Sequence, residues 1–536
     1  MNRLLFPVFS ACCVATALCS TPVAPKPNIV IILADDMGFS DLGCYGSEIP
    51  TPNLDALAAH GLRFTQFYNT ARCSPTRAAL LTGLHPHQAG MGTLAEDPHK
   101  QAPADAAPGY QEFLNHDCVT LAEVLRPAGY HAYLAGKWHL GYHGAEKWPL
   151  ARGFEHFYGI IAGAASYLRP DGPRGLTLDN TPLPAPEGKY YTTDAFTDHA
   201  LQFIHEQKDD HPFFLYLAYN APHWPLHALP EDIAQFTGRY RAGWDQLRQA
   251  RLAREIELGV VPPGTVLSPR DDGVRAWESL TEEQKTQLDC RMAVYAAQVH
   301  RMDWNIGRLV DLLRASGRLD NTLIFFLSDN GGCAEPYDDL GGGKVENINV
   351  PGMNGAGGDM AHSSGSSYGT GWANASNTPF RRYKSRLHQG GIATPLIVHW
   401  PAGLKTAPGA LTAAPGYLTD FMATIVDITG APYPAEYHGV KIQPPQGASL
   451  RPVFATGTRT APDWLFWEQY NNKAVRHGDW KAVQPAEKGA PWELYDLAHD
   501  YTELHDLSSS APTRLATMTA AWQRWAESHQ VLPKTH

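Results

Sequence analysis

Short apolar runs, each bounded by polar or turn-forming residues, constrain the fold of this 536-residue chain more than any other feature. Apolar runs of this kind are typical of strands that are covered on both faces, and such strands form parallel sheets between layers of helices. The runs are Ile29–Leu33, His131–Ala135, Phe213–Ala218, Leu323–Leu327 and Leu396–Trp400. They predict buried parallel strands and therefore an α/β fold.

A long helix is predicted over Met292–Leu313, where apolar residues recur at three- and four-residue spacing. It runs directly into the strand Leu323–Leu327, which makes a helix–strand unit of an α/β fold. We therefore predict a large mixed, mostly parallel sheet that is sandwiched by helices.

The sequence pattern changes after about Pro462. The predicted elements there are three short antiparallel strands, Trp464–Glu468, Lys473–Arg476 and Trp480–Val483, and a final helix, Pro512–Ser528. These elements predict a main domain over 21–462. They also predict a smaller C-terminal α+β subdomain over 463–536, made of an antiparallel sheet and a helix.

Polar side chains follow four of the predicted strands, at the points where those strands end. They are Asp35 and Asp36 after the first run, Lys137 and His139 after the second, His223 after the third, and Asp329 and Asn330 after the fourth. In open parallel sheets, ligands bind at the carboxyl ends of the strands. The sequence therefore predicts one functional site at one edge of the sheet.

Four of these residues, Asp35, Asp36, Asp329 and Asn330, offer oxygen donors. Hard cations such as calcium and magnesium prefer oxygen ligands. Asp-Asp and Asp-Asn pairs also occur as caps of helices and turns, so either pair alone is ambiguous. Together they favour a metal site, because both pairs follow buried strands of the same predicted sheet.

A second informative segment is Cys73-Ser74-Pro75-Thr76-Arg77, which continues through residues 78–83 as Ala-Ala-Leu-Leu-Thr-Gly. Proline is tolerated in a first helical turn, so a helix is predicted to begin near Cys73. Arg77 then shares a helix face with Cys73, and the helix N-terminus suits an anion. The alternative is a reduced structural cysteine beside a helix start.

This segment resembles the signature of the type I sulfatases, C-x-P-S/T-R followed by T-G. The further matching segments are Gly136–Gly141 (G-K-W-H-L-G), Ala221–His223, and Tyr383–Lys384 followed by His388–Gly391. Gln389 stands where many relatives have glutamate. The chain is identified as a member of that formylglycine-dependent family, and it resembles bacterial arylsulfatase-like members through Gly371–Asn374, Thr378–Arg381 and Trp492–Leu497. The resemblance implies an alkaline phosphatase-like fold.

The resemblance also implies the chemistry of the site. Cys73 would be converted to formylglycine by a maturation enzyme, and one Ca²⁺ would be bound. The implied metal ligands are Asp35, Asp36, Asp329, Asn330 and the modified Cys73. The implied catalytic residues are Cys73, Arg77, Lys137, His139, His223 and Lys384.

The implied mechanism begins when a hydroxyl of hydrated formylglycine attacks sulfur. His223 or Lys384 protonates the departing oxygen, and His139 removes a proton so that sulfate leaves. The substrate-binding residues predicted by resemblance are Lys137, His223 and Lys384. Trp372, Asn374 and His388 are predicted to border the substrate pocket, from their positions beside the matching segments.

The predicted activity is hydrolysis of a sulfate monoester, either an aryl sulfate or a sulfated carbohydrate, to an alcohol and inorganic sulfate. One alternative is a phosphodiesterase or phosphonate ester hydrolase of the same superfamily, since some of those enzymes share C-x-P-x-R. The other is a non-catalytic protein that binds sulfated glycans. The segment Ala334–Asn377, rich in Gly, Ser and Asn, is predicted to be a long loop without a readable specificity.

The composition and the N-terminal residues indicate which partners and which cellular location to expect. The net charge of −11 argues against a nucleic-acid-binding protein. Residues 1–20 combine Arg3 with the apolar run Leu4–Leu18, which predicts a signal peptide and export to a periplasm or beyond. No other apolar stretch is long enough to cross a bilayer. Five cysteines follow the signal, and their pairing is not readable from sequence.

Overall fold

An eleven-stranded mixed sheet forms the centre of the described part of the chain. The structure, a computed structural model, describes residues 25–335, 367–460 and 462–534. The predicted signal and most of the predicted loop 334–377 lie outside these ranges. The strands of the sheet are β1 (Asn28–Ala34), β2 (Leu62–Tyr68), β3 (His131–Lys137), β4 (His156–Ile160), β5 (Leu176–Leu178), β6 (Thr181–Pro182), β7 (Phe213–Ala218), β8 (Thr322–Ser328), β9 (Ala393–His399), β10 (Ala410–Thr412) and β11 (Gly416–Tyr417).

The strands lie in the order β10-β2-β9-β8-β1-β7-β3-β4-β5-β6, and β11 also pairs with β2. The central strands β8, β1, β7, β3 and β4 are parallel, so the predicted mixed, mostly parallel sheet is confirmed. The predicted parallel direction of Leu396–Trp400 is wrong, because β9 runs antiparallel to both β8 and β2. An apolar run reports burial on both faces of a strand but not the direction of the strand.

Successive side chains of β1 point to opposite faces of the sheet, which explains why the sheet has helices on both faces. Ile29, Ile31 and Leu33 contribute to one hydrophobic core, whereas Val30 and Ile32 contribute to the other. All five side chains are fully buried. Side chains alternate between the two faces of a strand, so an apolar run without polar interruptions requires a covering layer on each side.

The covering layers are helical. The helices are α1 (Pro52–Ala59), α2 (Cys73–Thr82), α3 (Leu121–Leu125), α4 (Thr192–Glu206), α5 (Pro230–Ile233), α6 (Gly243–Glu257), α7 (Glu282–Ala315), α8 (Thr370–Ser376), α9 (Gln389–Ile392), α10 (Asp420–Thr429), α11 (Arg451–Thr456) and α12 (Pro512–Ser528). The predicted helix Met292–Leu313 lies inside α7, which begins ten residues earlier at a capping box formed by Thr281 and Gln284.

The predicted loop 334–377 contains a helix that its composition does not reveal. α8 occupies residues 370–376 at the end of that segment. Its Trp372 packs edge-on against Trp244 and Tyr240, so tertiary packing stabilises the helix where amphipathic periodicity is missing.

The C-terminal elements agree with the prediction. A four-stranded antiparallel sheet consists of β14 (Leu465–Gln469), β15 (Asn472–His477), β16 (Trp480–Gln484) and β17 (Glu493–Asp496), after a two-stranded ribbon of β12 (Glu436–Tyr437) and β13 (Val440–Lys441). α12 has the predicted bounds and packs on β15 and β16. Trp467 joins this sheet to the main one by donating from its indole Nε1 to the Asn69 carbonyl.

The cysteines of the described residues are all unpaired: Cys44, Cys73, Cys118, Cys290 and Cys333. Among the described helices, none combines the length and the apolar composition needed to cross a membrane. Four of the five cysteines are buried, and none of the five forms a disulfide within the described residues.

Gly136 is a position where the fold requires glycine. It lies near the end of β3 with φ +119°, and a Cβ there would run into the Ala218 carbonyl of β7.

Gly136→Ala should lower the free energy of unfolding by about 3 kcal/mol through strain and overlap, as measured by urea denaturation. Gly129→Ala is the control, because Gly129 also has a positive φ, +87°, but faces open space. It should cost about 1 kcal/mol, and equal losses in the two variants would contradict the prediction.

Candidate functional site

The carboxyl ends of four parallel strands meet at one edge of the sheet and carry the predicted polar residues. Asp35 and Asp36 follow β1, and His223 follows β7. Ligand atoms of these three residues and of Cys73 all lie within 4.8 Å of one another. The structure thus brings the residue at the start of α2 together with side chains from separate strand ends.

Cys73 is the first residue of α2, only 2% exposed, and its helix is held in place by two residues of the same motif. The Thr76 hydroxyl donates to the Asp329 carbonyl at 2.6 Å. Arg77 donates from Nη2 to Asp329 Oδ2 at 2.9 Å and from Nη1 to the Lys137 carbonyl at 3.1 Å. The motif therefore fixes α2 to the ends of β8 and β3.

The predicted oxygen donors lie side by side. The Asn330 side-chain amide donates to Asp36 Oδ1 at 2.6 Å, and the Asp36 backbone N–H donates to Asp329 Oδ1 at 3.1 Å. The Asn330 Oδ1 atom lies 3.6 Å from the Cys73 sulfur. Asp35 Oδ1 is buried and has no hydrogen-bond partner among the described residues.

Buried cations neutralise these carboxylates. Lys137 Nζ donates to Asp35 Oδ2 at 2.7 Å, and Lys384 Nζ lies 2.8 Å from the Asp36 carboxylate. Lys384 Nζ is also 3.4 Å from His223 Nε2. Burying unpaired charges would be very costly, so these contacts and the Arg77–Asp329 pair make the cluster compatible with a folded interior.

Burial and the neighbouring charges shift the pKa values of Asp36 and Asp329 in opposite directions. Burial alone would raise the pKa of Asp36, but His223 and Lys384 lower it below its usual range. Burial and the neighbouring Asp35 carboxylate raise the pKa of Asp329 to about 7, despite the opposing charge of Arg77. Asp36 is therefore ionised at neutral pH, whereas Asp329 gains and loses its proton near neutrality.

The Cys73 thiol is protonated at neutral pH. Burial raises its pKa to about 12, although Lys137 and Lys384 favour the thiolate. Since the thiolate is the nucleophilic form of cysteine, the unmodified side chain is a weak nucleophile here.

The two predicted histidines are both neutral. Burial, together with the charges of Lys137 and Arg77, lowers the pKa of His139 well below its usual range. Burial also lowers the pKa of His223 to about 3, with Asp36 opposing the shift and Lys384 adding to it. His223 Nδ1 lies 2.5 Å from the Trp224 carbonyl, which only accepts, so Nδ1 carries the hydrogen and Nε2 presents its lone pair.

Comparison with known proteins gives the family. Residues 27–431 match the sequence profile of the sulfatase family. The chain belongs to the sulfatase family. Residues 381–523 also match a profile described as the C-terminal part of N-sulphoglucosamine sulphohydrolase.

Individual sulfatases agree with this assignment. An uncharacterized sulfatase of Schizosaccharomyces pombe is 34% identical over 527 residues, which cover 93% of each chain. The arylsulfatase of Klebsiella aerogenes is 34% identical over 76% of this chain and 87% of its own. The crystal structure of Ps i-CgsB in complex with k-i-k-neocarrahexaose shares 26% identity with a TM-score of 0.66, covering 94% of this chain and 93% of that one.

These matches confirm the predicted type I sulfatase of the alkaline phosphatase superfamily, its fold and its reaction class. The protein is a sulfuric ester hydrolase. The phosphodiesterase and binding-protein alternatives are therefore set aside.

The sulfatase has a cavity of about 320 Å³ beside Cys73. Of the predicted catalytic residues, Cys73, His139, His223 and Lys384 line it, whereas Arg77 and Lys137 are fully buried beneath them. Among the described residues, this volume lies at the small end of the range for ligand sites.

Three further residues on the cavity wall were missed in the sequence. Glu335 accepts from Arg72 Nη1 at 3.3 Å and from the Trp224 indole Nε1 at 2.7 Å. Arg72 precedes Cys73 and Trp224 follows His223, so one carboxylate connects the neighbours of two predicted catalytic residues. Adjacency to the motifs was the only available signal, and nothing in the sequence indicated that Glu335 would reach both.

Tyr167 is another residue that sequence reasoning missed. Its buried hydroxyl lies 2.6 Å from the Asn220 carbonyl and 2.8 Å from the His223 carbonyl, and donates to this pair. The Asp35 backbone N–H donates to the Ala221 carbonyl at 2.9 Å in the same loop. The segment that carries His223 is thus held from two sides.

The structure does not place Trp372, Asn374 and His388 on the described wall of the cavity beside Cys73, so their role in substrate binding stays a prediction. Trp372 is fully buried and donates from Nε1 to the Leu288 carbonyl. Asn374 is 1% exposed on the same short helix. His388 Nε2 lies 2.7 Å from Glu493 Oε2 of β17. These three residues are near the matching segments in the sequence, but their side chains do not lie beside Cys73 in the structure.

Tyr167→Phe should reduce kcat for a sulfate ester about tenfold, a barrier increase of about 1.4 kcal/mol, because the His223 segment loses a hydrogen bond that fixes it. Steady-state kinetics on the variant would measure the loss. Tyr158→Phe is the control, since the Tyr158 hydroxyl contacts the Tyr190 hydroxyl at 3.2 Å and does not line the cavity. Unchanged kcat in Tyr167→Phe would contradict this role.

Proposed function

We propose that this sulfatase hydrolyses a sulfate monoester, either an aryl sulfate or a sulfated carbohydrate, to the free alcohol and inorganic sulfate. The observation that supports the proposal most strongly is the buried Cys73, surrounded by two lysines, two histidines and a group of carboxylate and amide oxygens. A sulfate ester is an anion that gains charge on its bridging oxygen as the S–O bond breaks, and fixed cations stabilise that charge.

Cys73 is proposed to act after conversion to formylglycine, which implies a maturation enzyme as a partner. The buried thiol, with its pKa of about 12, supports this proposal because it is un-ionised at neutral pH. Formylglycine supplies a hydrated aldehyde, whose hydroxyl group is the nucleophile. The first turn of α2 fixes the position of residue 73 for that role.

The donor set fits one Ca²⁺. Asp35, Asp36, Asp329 and Asn330, with residue 73, would hold it, since their oxygens are the hard ligands that calcium prefers. The unpartnered Asp35 Oδ1 and the raised pKa of Asp329 both indicate a place that lacks positive charge. When bound, calcium supplies a Lewis acid that lowers the pKa of the nucleophile and neutralises sulfate charge.

Lys384 and His223 are proposed to deliver the proton to the leaving oxygen. Burial alone would lower the pKa of Lys384, but Asp36 raises it well above its usual range, so the lysine carries the proton. His223 is neutral and its Nε2 lone pair lies 3.4 Å from Lys384 Nζ. Lys384 is therefore the member of the pair that holds a proton for the alcohol oxygen as it leaves, and the His223 Nε2 lone pair orients its ammonium group.

His139 is proposed as the general base that later takes a proton from the nucleophilic group of residue 73. Its pKa is well below the usual range, so the ring is neutral and available to accept. Its Nδ1 has no hydrogen-bond partner among the described residues. Arg77 and Lys137 hold the Asp329 and Asp35 carboxylates in place behind residue 73.

The substrate class and location are also proposals. The names of two relatives indicate the candidates, an arylsulfatase and a protein solved with a neocarrahexaose. Export to a periplasm or beyond is proposed from residues 1–20, and N-terminal sequencing of the secreted protein checks it.

Sulfate release tests the function directly. Wild-type protein, co-expressed with a maturation enzyme, should release sulfate from 4-nitrophenyl sulfate or from a sulfated monosaccharide, and the peptide Cys73–Arg77 should have the mass of formylglycine. Cys73→Ala should lose at least about 10³-fold in kcat, because the nucleophile is removed. Cys290→Ser, at a cysteine that does not line the cavity, should keep full activity. An active enzyme with an unmodified Cys73 mass would overturn the mechanism.

Calcium should stabilise the fold as well as support activity. At a concentration about 1,000-fold above its Kd, Ca²⁺ should add about 4 kcal/mol of stability, seen as a higher melting temperature that EDTA reverses. Asp35→Asn should weaken this shift because one ionised ligand is lost. Asp198→Asn, in an exposed pair with Arg308, should leave it unchanged. A melting temperature that is insensitive to Ca²⁺ would contradict the proposed site.

A further inference from the structure

A second cluster of metal-binding side chains lies at the opposite edge of the sheet. It consists of His131, Asp209 and His211, whose nearest ligand atoms all lie within 4.8 Å of one another. His131 is the first residue of β3 and Lys137 is the last, so about 20 Å of strand separates this cluster from the catalytic residues. In the described residues, the other such cluster is the one around Cys73.

The separations between donor atoms suit a small metal ion. Asp209 Oδ2 lies 3.0 Å from His131 Nε2 and 3.8 Å from His211 Nδ1. Two ligands bound at 2.0–2.1 Å in tetrahedral geometry are about 3.3 Å apart. The two printed distances lie on either side of this value, and the two histidine nitrogens are within 4.8 Å of each other, so adjustment of the exposed Asp209 and His211 side chains would bring all three atoms onto one ion.

Glu155 supplies the outer partner that metal-binding histidines require. Its Oε2 atom lies 2.8 Å from His131 Nδ1, which leaves Nε2 directed toward Asp209. Such a carboxylate fixes the tautomer and the ring orientation of a histidine ligand. The other oxygen of Glu155 lies 3.4 Å from Arg126, so the Glu155 side chain is held at both oxygens.

The backbone around the cluster is also fixed. The His131 N–H donates to the Pro212 carbonyl at 3.0 Å, which joins the starts of β3 and β7. The Gln207 side chain donates to the Asp209 carbonyl at 3.1 Å and to the His211 carbonyl at 2.6 Å. The ligands are therefore ordered before any ion binds, which reduces the entropic cost of binding.

We propose that His131, Asp209 and His211 form a binding site for a divalent transition-metal ion of the Zn²⁺ class, with water as the remaining ligand. Two imidazoles and one carboxylate favour such an ion over calcium, so the site is chemically distinct from the oxygen-rich group near Cys73. The side chains of His131 and His211 are 27% and 64% exposed, so the ion can enter from solvent. Its role is to link the amino ends of β3 and β7.

The test uses the full-length, tag-free protein with Ca²⁺ present to occupy the catalytic site. Co²⁺ titration should give one saturable set of d–d absorption bands that Zn²⁺ abolishes, and Zn²⁺ should raise the melting temperature. Asp209→Asn and His211→Asn should lose both responses, and Glu155→Gln should weaken binding by about 10- to 100-fold. His156→Asn is the matched control, because His156 faces Asp179 at 3.5 Å in an exposed pair.

Both responses should persist in His156→Asn, and sulfate release should be unchanged in His211→Asn. The proposal would be overturned if wild-type protein shows no saturable Co²⁺ bands, or if His156→Asn loses them as completely as His211→Asn. Urea denaturation of the metal-free variants establishes that they are folded. His211 is largely exposed, so its replacement should not alter the midpoint.

Discussion

The buried ion pair between Arg77 and Asp329 is the contact on which the catalytic edge of this sulfatase depends. It joins α2 to the end of β8, and the same guanidinium donates to the Lys137 carbonyl at the end of β3. Both side chains are fully buried, so each needs the other as its polar partner. Removing one partner of such a pair costs about 3–5 kcal/mol, because the remaining charge stays in the interior.

The remaining charges of the site follow from this arrangement. Asp35 and Asp36 come from β1, between β7 and β8, and are met by Lys137 and Lys384. Burial lowers the pKa values of His139 and His223 so that both are neutral, while Asp36 raises the pKa of Lys384 so that it is charged. A site with both a proton donor and a proton acceptor at neutral pH results from burial and proximity rather than from unusual residue types.

The sequence alone predicted the central strands of the sheet and the residues that follow them. β7 and α12 have the predicted bounds, because continuous apolar runs and three-and-four spacing are strong local signals. The direction of β9 and the helix α8 could not be predicted, since both depend on packing partners distant in the chain. For the same reason the sequence did not show that Trp372 and Asn374 are buried or that His388 contacts Glu493 of β17.

By itself, the sequence determined which chemical groups this protein can use, because the Cys73 motif, the lysines, the histidines and the paired carboxylates are written directly in it. Only the tertiary structure decided which side chains support them. Tyr167 and Glu335 reach the catalytic segments across long stretches of chain, and His131 meets His211 because β3 and β7 are neighbours in the sheet. Such contacts depend on the order of the strands in the sheet and on how the loops close. They join residues that are far apart in the sequence, and local sequence patterns do not encode them.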